Sequence, residues 1–322
     1  VKAQATAEAS PSLALVKYWG KSDGPPNLPA TSNLAIGLET LRTSTTVVPS
    51  ERDAVTLDGV DQPLEPFVPL FDAFRKLSGY NGSFTVQSSN NFPTAAGIAS
   101  SSSGFAALTL ALNALLETQL SDEQLSSLAR TGSGSASRAV YGGFTRWEAG
   151  EPWAQRFLPA DHWPQLRVVV AILSAGKKPI GSRAGMERSK RTSPLYSAWV
   201  NHAAELFERG CAAVQARSLE HLGPIMRESY LTMFATMFTA RPPFLYWIPE
   251  SVALLRTLEE LRSEGVPAWE TMDAGPQVKV LTTAPHVEQI CRTITGVVPD
   301  AQLIITPVGG APSLLDGAGS VG

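Results

Sequence analysis

Four short segments carry side chains whose types and spacing suit chemistry on a phosphorylated anion. Residues 90–104, Asn-Asn-Phe-Pro-Thr-Ala-Ala-Gly-Ile-Ala-Ser-Ser-Ser-Ser-Gly, combine small residues with backbone amides and hydroxyls. Phe105, Leu108, Leu112, Leu115 and Leu116 follow at helical spacing, so this run ends at a helix N-terminus. Unpaired N–H groups and the positive end of the dipole favour an anion there, and the serine hydroxyls can reach Mg²⁺ or phosphate oxygens. The plainer reading is a serine-rich cap on a core helix.

The other three segments have similar two-sided readings. Lys17 and Lys21 flank Tyr18-Trp19-Gly20. In an extended stretch residues four apart share a face, so the spacing predicts one cationic face with Trp19 packed inward; two solvated lysines beside a core aromatic are the alternative. Ser133, Ser135 and Arg138 sit on a Gly-Ser loop. Its amides and hydroxyls suit phosphate and its guanidinium suits a carboxylate, unless the loop is a linker with a surface arginine. Asp273, in Met272-Asp273-Ala274-Gly275-Pro276, has small neighbours that leave its carboxylate accessible for proton transfer. A loop aspartate turned onto its own backbone fits the same pattern.

Several chemistries are set aside by what the chain lacks. No G-x-x-x-x-G-K-[ST] loop is present, Gly132-Ser133-Gly134 has Ser137 in place of the last glycine of a dinucleotide fingerprint, and no G-x-S-x-G elbow accompanies the serines. His162, His202, His221 and His286 are scattered, and Cys211 and Cys291 form no C-x-x-C, so they read as idle or buried thiols rather than zinc ligands. The net charge of −3 argues against general nucleic-acid binding. The aliphatic run Val168 to Leu173 is too short to span a bilayer, and no leader pattern precedes it. A reduced, cytoplasmic protein without membrane or nucleic-acid partners is expected.

The elements that must position these residues are partly legible. A chain of 322 residues, 43% apolar and 17% charged, suits two domains. Strands are predicted over Ser44–Pro49, Phe84–Gln87, Leu166–Leu173, Val278–Leu281 and Gln302–Ile305. Helices are predicted over Glu65–Leu77, from the Ser121-x-x-Gln124 capping box through Arg130, and over Ser197–Arg217, Leu219–Thr239 and Ser251–Glu264. The stretch Gly176–Ser193 reads as polar and basic, and the Gly/Ala/Pro-rich tail after Thr306 as poorly ordered. Runs of helices beside a few strands give an α+β class.

Together these segments resemble the mevalonate diphosphate decarboxylase family of the GHMP kinase superfamily. The resemblance lies in Asn90–Gly97 with Ala99-Ser100-Ser101, in Lys17-Tyr18-Trp19-Gly20-Lys21, in Gly132–Arg138 and in Met272–Pro276, in family order over most of the chain. It implies an N-terminal mixed α/β (ribosomal S5-like) domain over 1–184 that carries the nucleotide. A C-terminal ferredoxin-like domain over 185–322 completes a substrate cleft. ATP and Mg²⁺ are implied cofactors, with Pro93, Ala95, Ala96, Gly97, Ala99, Ser100, Ser101 and Ser102 on the nucleotide and Ser101 also on the metal. Asp273 is implied as catalytic base with Lys17 and Arg138 beside it; Tyr18, Lys21, Ser133, Ser135 and Arg183 are implied on the substrate. Lys177, Lys178, Lys190 and Arg191 add local positive potential. A homodimer is the implied assembly.

The chain departs from the family pattern at Ser12-Leu13-Ala14, Thr31-Ser32-Asn33 and Leu231-Thr232-Met233-Phe234-Ala235, where polar groups give way to apolar bulk near the acceptor. On that ground the preferred expectation is ATP-dependent decarboxylation of mevalonate 5-phosphate to isopentenyl phosphate. The alternatives are a mevalonate 5-diphosphate decarboxylase, a mevalonate 3-kinase and a non-catalytic ligand-binding relative. Against that, Lys21, Ser133, Ser135 and Arg183 make an anion pocket capable of holding a diphosphate.

Overall fold

A computed structural model describes residues 1–93, 100–174, 176 and 178–315. In chain order the first half contains β1 (Ala5–Ala9), β2 (Ser12–Val16), β3 (Asn33–Gly37), β4 (Thr43–Ser50), β5 (Ala54–Leu57), β6 (Val60–Asp61), α1 (Val68–Ser78) and β7 (Ser83–Asn90). Then come α2 (Ser100–Leu116), α3 (Asp122–Gly132), α4 (Ala136–Ala139), β8 (Phe144–Trp147) and β9 (Gln155–Leu158). The second half has β10 (Leu166–Ile172), α5 (Ser182–Thr192), α6 (Tyr196–Gln215), α7 (Leu219–Phe238) and α8 (Pro249–Ser263). It closes with β11 (Trp269–Met272), β12 (Val278–Thr283), α9 (Val287–Val297), β13 (Gln302–Thr306) and β14 (Ser313–Leu315).

The strands form three sheets, ordered β14-β1-β4-β7-β5-β6, β2-β3-β8-β9 and β11-β12-β10-β13. Each sheet buries one cluster of apolar side chains or more. Phe71, Phe74 and Phe84 join Leu108, Leu112 and Leu115 between the first sheet and helices α1 to α3. Leu13, Leu34, Phe144, Val168 and Val170 meet Leu206, Val214 and Leu222 of α6 and α7. Val169, Ala171, Val278 and Val280 meet Tyr230, Phe234, Leu254 and Ile290 on the opposite face. β10 is therefore covered on both sides over Val168–Ile172, which is why those residues read as an unbroken apolar run rather than an alternation.

Local signals set several boundaries. Ser121 accepts the Gln124 N–H, and the Gln124 side chain accepts the Ser121 N–H, so α3 starts at its capping box. α1 starts at Val68 rather than Glu65, with a proline in its first turn. The polar stretch 176–193 contains α5, which hides from sequence patterning because it buries only Gly185, Met186 and Ser189.

Of the tail expected to lack order, residues 307–315 are described and include β14, while residues 316–322 lie outside the described residues. β14 pairs antiparallel with β1, and Gly309 donates to Gly37 O while accepting from Gly143 N–H. A Cβ on Gly142 would lie 2.1 Å from Gly310 O, so small residues here permit close backbone packing. Hydrogen bonding also crosses residue 184: β10 pairs with β12 and β13, and β14 returns to the first sheet. Among the described residues no helix is long and apolar enough to cross a membrane.

Candidate active site

A cleft of about 800 Å³ opens where β2, α2, α4, α5 and the end of β11 converge. Lys17, Tyr18, Lys21, Ser100, Ser101, Ser133, Ser135, Arg138, Arg183 and Asp273 all line it. The starts of two long helices face it: Ser100 and Ser101 open α2, whose first turn carries no acid, and Ser182 and Arg183 open α5. The positive dipole ends at both points suit phosphate oxygens.

Lys17 follows the last residue of β2. Its N–H donates to Ser229 Oγ on α7, at 2.9 Å, which fixes the backbone. Its Nζ donates to Ala14 O at 2.7 Å and to Asp273 Oδ1 at 2.8 Å. Burial lowers the ammonium to about 8, although Asp273 works against that fall. Burial alone would push the Asp273 carboxyl up, but Lys17 and Lys279 hold it well below the usual carboxylate range.

The lysine spacing does not arise from one extended stretch. β2 ends at Val16, and Gly20 takes φ +121° with its hydrogen facing the Tyr196 ring, where a Cβ would meet Oη at 1.9 Å. The chain turns there, so Lys17 and Lys21 line the cleft from a bend while Trp19 is buried against α6 and α7. Lys21 is also lowered to about 8, by burial first and by Arg183 second.

Arg138, on α4, is 3% exposed and held from below. Its Nε donates to Ser12 Oγ at 3.1 Å, Asn33 Oδ1 accepts from the same guanidinium, and the group lies over the Tyr18 ring. Ser12 and Asn33, expected to mark lost polar groups near an acceptor, thus hold the guanidinium instead. Tyr18 stacks on Trp147 and donates its hydroxyl to Asn27 O at 3.2 Å; burial pushes the phenol up to about 12, so it stays a neutral donor. Ser101 Oγ lies 3.2 Å from Ser133 Oγ, which lies 3.3 Å from Ser135 Oγ.

The remaining expected residues divide. Ala95, Ala96, Gly97, Ala99 and Lys177 lie outside the described residues. Pro93 does not line the cleft, and the buried Ser102 hydroxyl accepts the Ser12 N–H at 3.0 Å. Lys178 lines the cleft, whereas Lys190 is engaged with Lys21 O and Asp23. Sequence reasoning missed Asn27 and Ser182 in the lining, and Lys279, whose Nζ is 3.3 Å from Asp273 Oδ2. A lone lysine inside Val278-Lys279-Val280-Leu281 is the signal that could have found it.

The donors fit nucleotide phosphates and Mg²⁺. Among the described residues no group of three or more His, Cys, Asp or Glu could hold a metal, and the cleft offers oxygen donors in the hydroxyls of Ser100, Ser101, Ser133 and Ser135 and the Asp273 carboxylate.

These lobes, with helix starts and buried cations around one cleft, define a GHMP kinase fold. The N-terminal half matches the family model "Diphosphomevalonate decarboxylase-like N-terminal domain" over residues 9–157, and the C-terminal half matches "Mevalonate 5-diphosphate decarboxylase C-terminal domain" over 168–313. The diphosphomevalonate decarboxylase of Ganoderma lucidum is 33% identical over 341 residues, covering 95% of this chain and 85% of the relative. The mevalonate diphosphate decarboxylase of Staphylococcus aureus superposes with a TM-score of 0.92 at 34% identity, covering 97% of this chain and 98% of that one. A structure of MDDEF in complex with MVAPP, AMPPCP and magnesium superposes at 0.91 with 34% identity, covering 97% and 99%. The chain belongs to the diphosphomevalonate decarboxylase family, whose members are ATP-dependent carboxy-lyases.

Proposed function

We propose that this chain decarboxylates mevalonate 5-diphosphate, consuming ATP and releasing isopentenyl diphosphate, ADP, phosphate and CO₂. The observation that carries the reading is the Asp273 carboxylate, ion-paired at 2.8 Å to Lys17 in the same cleft as the Arg138 guanidinium. Relatives at more than 30% identity, over nearly the whole chain, act on the diphosphate by name; this favours it over the monophosphate that the apolar substitutions suggested.

Mevalonate has no carbonyl to receive the electrons of a breaking C–CO₂⁻ bond, so the tertiary 3-hydroxyl must become a leaving group. MgATP, when bound, supplies the phosphoryl group and neutralises charge on the transferring phosphate. Asp273 orients the 3-hydroxyl and takes its proton as the oxygen bonds to phosphorus. A carboxylate so stabilised as an anion is a weak base, which suits a loose transition state in which that proton leaves late. The C3–O bond then breaks, the C1–C2 electrons form the C2=C3 alkene, and CO₂ departs.

Arg138 holds the substrate carboxylate with its fork and keeps it in line with the breaking bond. Lys17 keeps Asp273 ionised and in place. Tyr18, Lys21, Ser133, Ser135 and Arg183 form the pocket for the diphosphate end. Ser100 and Ser101 at the start of α2, with Pro93, Ala95, Ala96, Gly97 and Ala99, form the nucleotide side, the buried Ser102 supports it through its bond to Ser12, and the Ser101 hydroxyl is the protein ligand for Mg²⁺. The working division of the chain into units at residue 184 belongs to the same proposal, as do a cytoplasmic setting, which the free thiols of Cys211 and Cys291 suit, and a homodimer, which gel filtration tests.

Steady-state kinetics with MgATP and each of mevalonate, its 5-phosphate and its 5-diphosphate tests the substrate. The diphosphate should give the highest kcat/KM; a higher value for the monophosphate would return the reading to the other branch.

A further inference from the structure

We propose that Lys279 is a positioning residue for this reaction, acting through Asp273: Lys17 and Lys279 each hold one oxygen of the carboxylate and so fix its plane toward the cleft. The inference rests on the proposed function, because it gives Asp273 a substrate hydroxyl to face. Lys279 stands on β12, an inner strand hydrogen-bonded to β11 on one side and β10 on the other, in register with Thr271 and Val170. It is 1% exposed and does not line the cleft. An ammonium so buried costs several kcal/mol in lost hydration unless it is paired. Its partner is Asp273 Oδ2 at 3.3 Å, while Oδ1 takes the Lys17 ammonium at 2.8 Å.

One cation on one oxygen leaves a carboxylate free to swing about its terminal torsion. A second cation, delivered from an inner strand of the sheet to the other oxygen, removes that freedom. Among the described residues the charged groups facing the trio are Arg138 and Lys178, both cationic, so Asp273 is there the single anion among four cations. The Lys279 charge also lowers the proton affinity of Lys17, which ties the two lysines through the same carboxylate.

Lys279→Met removes the charge but keeps the length and an apolar fit to the strand. With mevalonate 5-diphosphate and MgATP, kcat should fall about 10–100-fold, while KM for ATP stays within about threefold. Losing a cationic neighbour should move the alkaline limb of kcat up by about one pH unit. Lys279→Arg, which keeps the charge, should leave that limb at the parent's position. A folded Met variant with the parent's kcat and limb would overturn the proposal. ¹⁵N-Nζ lysine NMR on the parent, assigned by the signal lost in Lys279→Arg, provides a test independent of the Met variant's folding and of any substrate. A Lys279 ammonium at pH 7 whose signal shifts in Asp273→Asn supports the pairing; a neutral amine, or no shift, overturns it. A parent that releases no CO₂ would count against the proposed function and leave the NMR result to decide the pairing.

Discussion

Lys17 Nζ and Asp273 Oδ1 lie 2.8 Å apart although 256 positions separate them in the chain. Lys17 leaves the end of β2 in the second sheet, and Asp273 leaves the end of β11 in the third. The contact exists only when the two sheets are docked across the core of Leu13, Leu34, Val168 and Val170. Assembly of the reactive centre therefore requires that docking.

Asp273→Asn keeps the shape and removes the charge. Turnover should fall by about 10²–10⁴-fold, the usual worth of a proton-accepting group. Affinity for ATP, measured by titration calorimetry, should stay within about threefold, because the proposed nucleotide side is built from α2. Retained turnover would remove Asp273 from its role.

Arg138→Lys preserves the charge but cannot satisfy Ser12 Oγ and Asn33 Oδ1 while presenting a fork to a carboxylate. A drop of about 100-fold in kcat/KM is expected, with ATP affinity unchanged. Parent kinetics would mean that the carboxylate is held elsewhere.

Activity should fall as pH rises through about 8, where the Lys17 ammonium is lost and Asp273 is released. The unfolded chain keeps that proton up to its ordinary value of 10.5, so between about 8 and 10.5 deprotonation of Lys17 adds to stability as pH rises. Turnover and the Lys17 contribution to stability therefore run in opposite directions over one window. Lys21 titrates near 8 as well; Lys21→Arg removes its share and should leave a limb near pH 8. A pH–rate profile of that variant flat from 7 to 9 would exclude Lys17.

Much of the site was legible because its residues fall in short runs of unusual composition. Lys17, Arg138 and Asp273 are all named by their segments, and the helix expected after the serine run is α2, which starts earlier and takes Ser100–Ser103 into its first turn. What sequence could not supply is the pairing between segments. Ser12 and Asn33 looked like losses of polarity until Arg138 was found resting on them. Lys279 reads as an oddity in an apolar strand, since its partner lies beyond a turn and the direction of its side chain is set by sheet register. α5 escaped notice because a helix with few buried residues leaves little periodicity.

Gly20→Ala tests the bend that brings Lys17 and Lys21 to one cleft. The new Cβ would meet Tyr196 Oη at 1.9 Å on a backbone at φ +121°. A loss of about 1–3 kcal/mol in unfolding free energy is expected from strain of this kind, read by denaturant titration. Tyr196→Phe in that background should recover part of the loss by removing the clashing oxygen, leaving the backbone share. No loss in the single variant would show that the bend relaxes freely.

The most direct test of the account follows ADP and CO₂ together from mevalonate 5-diphosphate labelled at its carboxyl carbon, with MgATP and the parent protein. The account predicts one CO₂ released for each ADP formed, with both lost together in Asp273→Asn. ADP formed without CO₂, or no ADP at all, would contradict it.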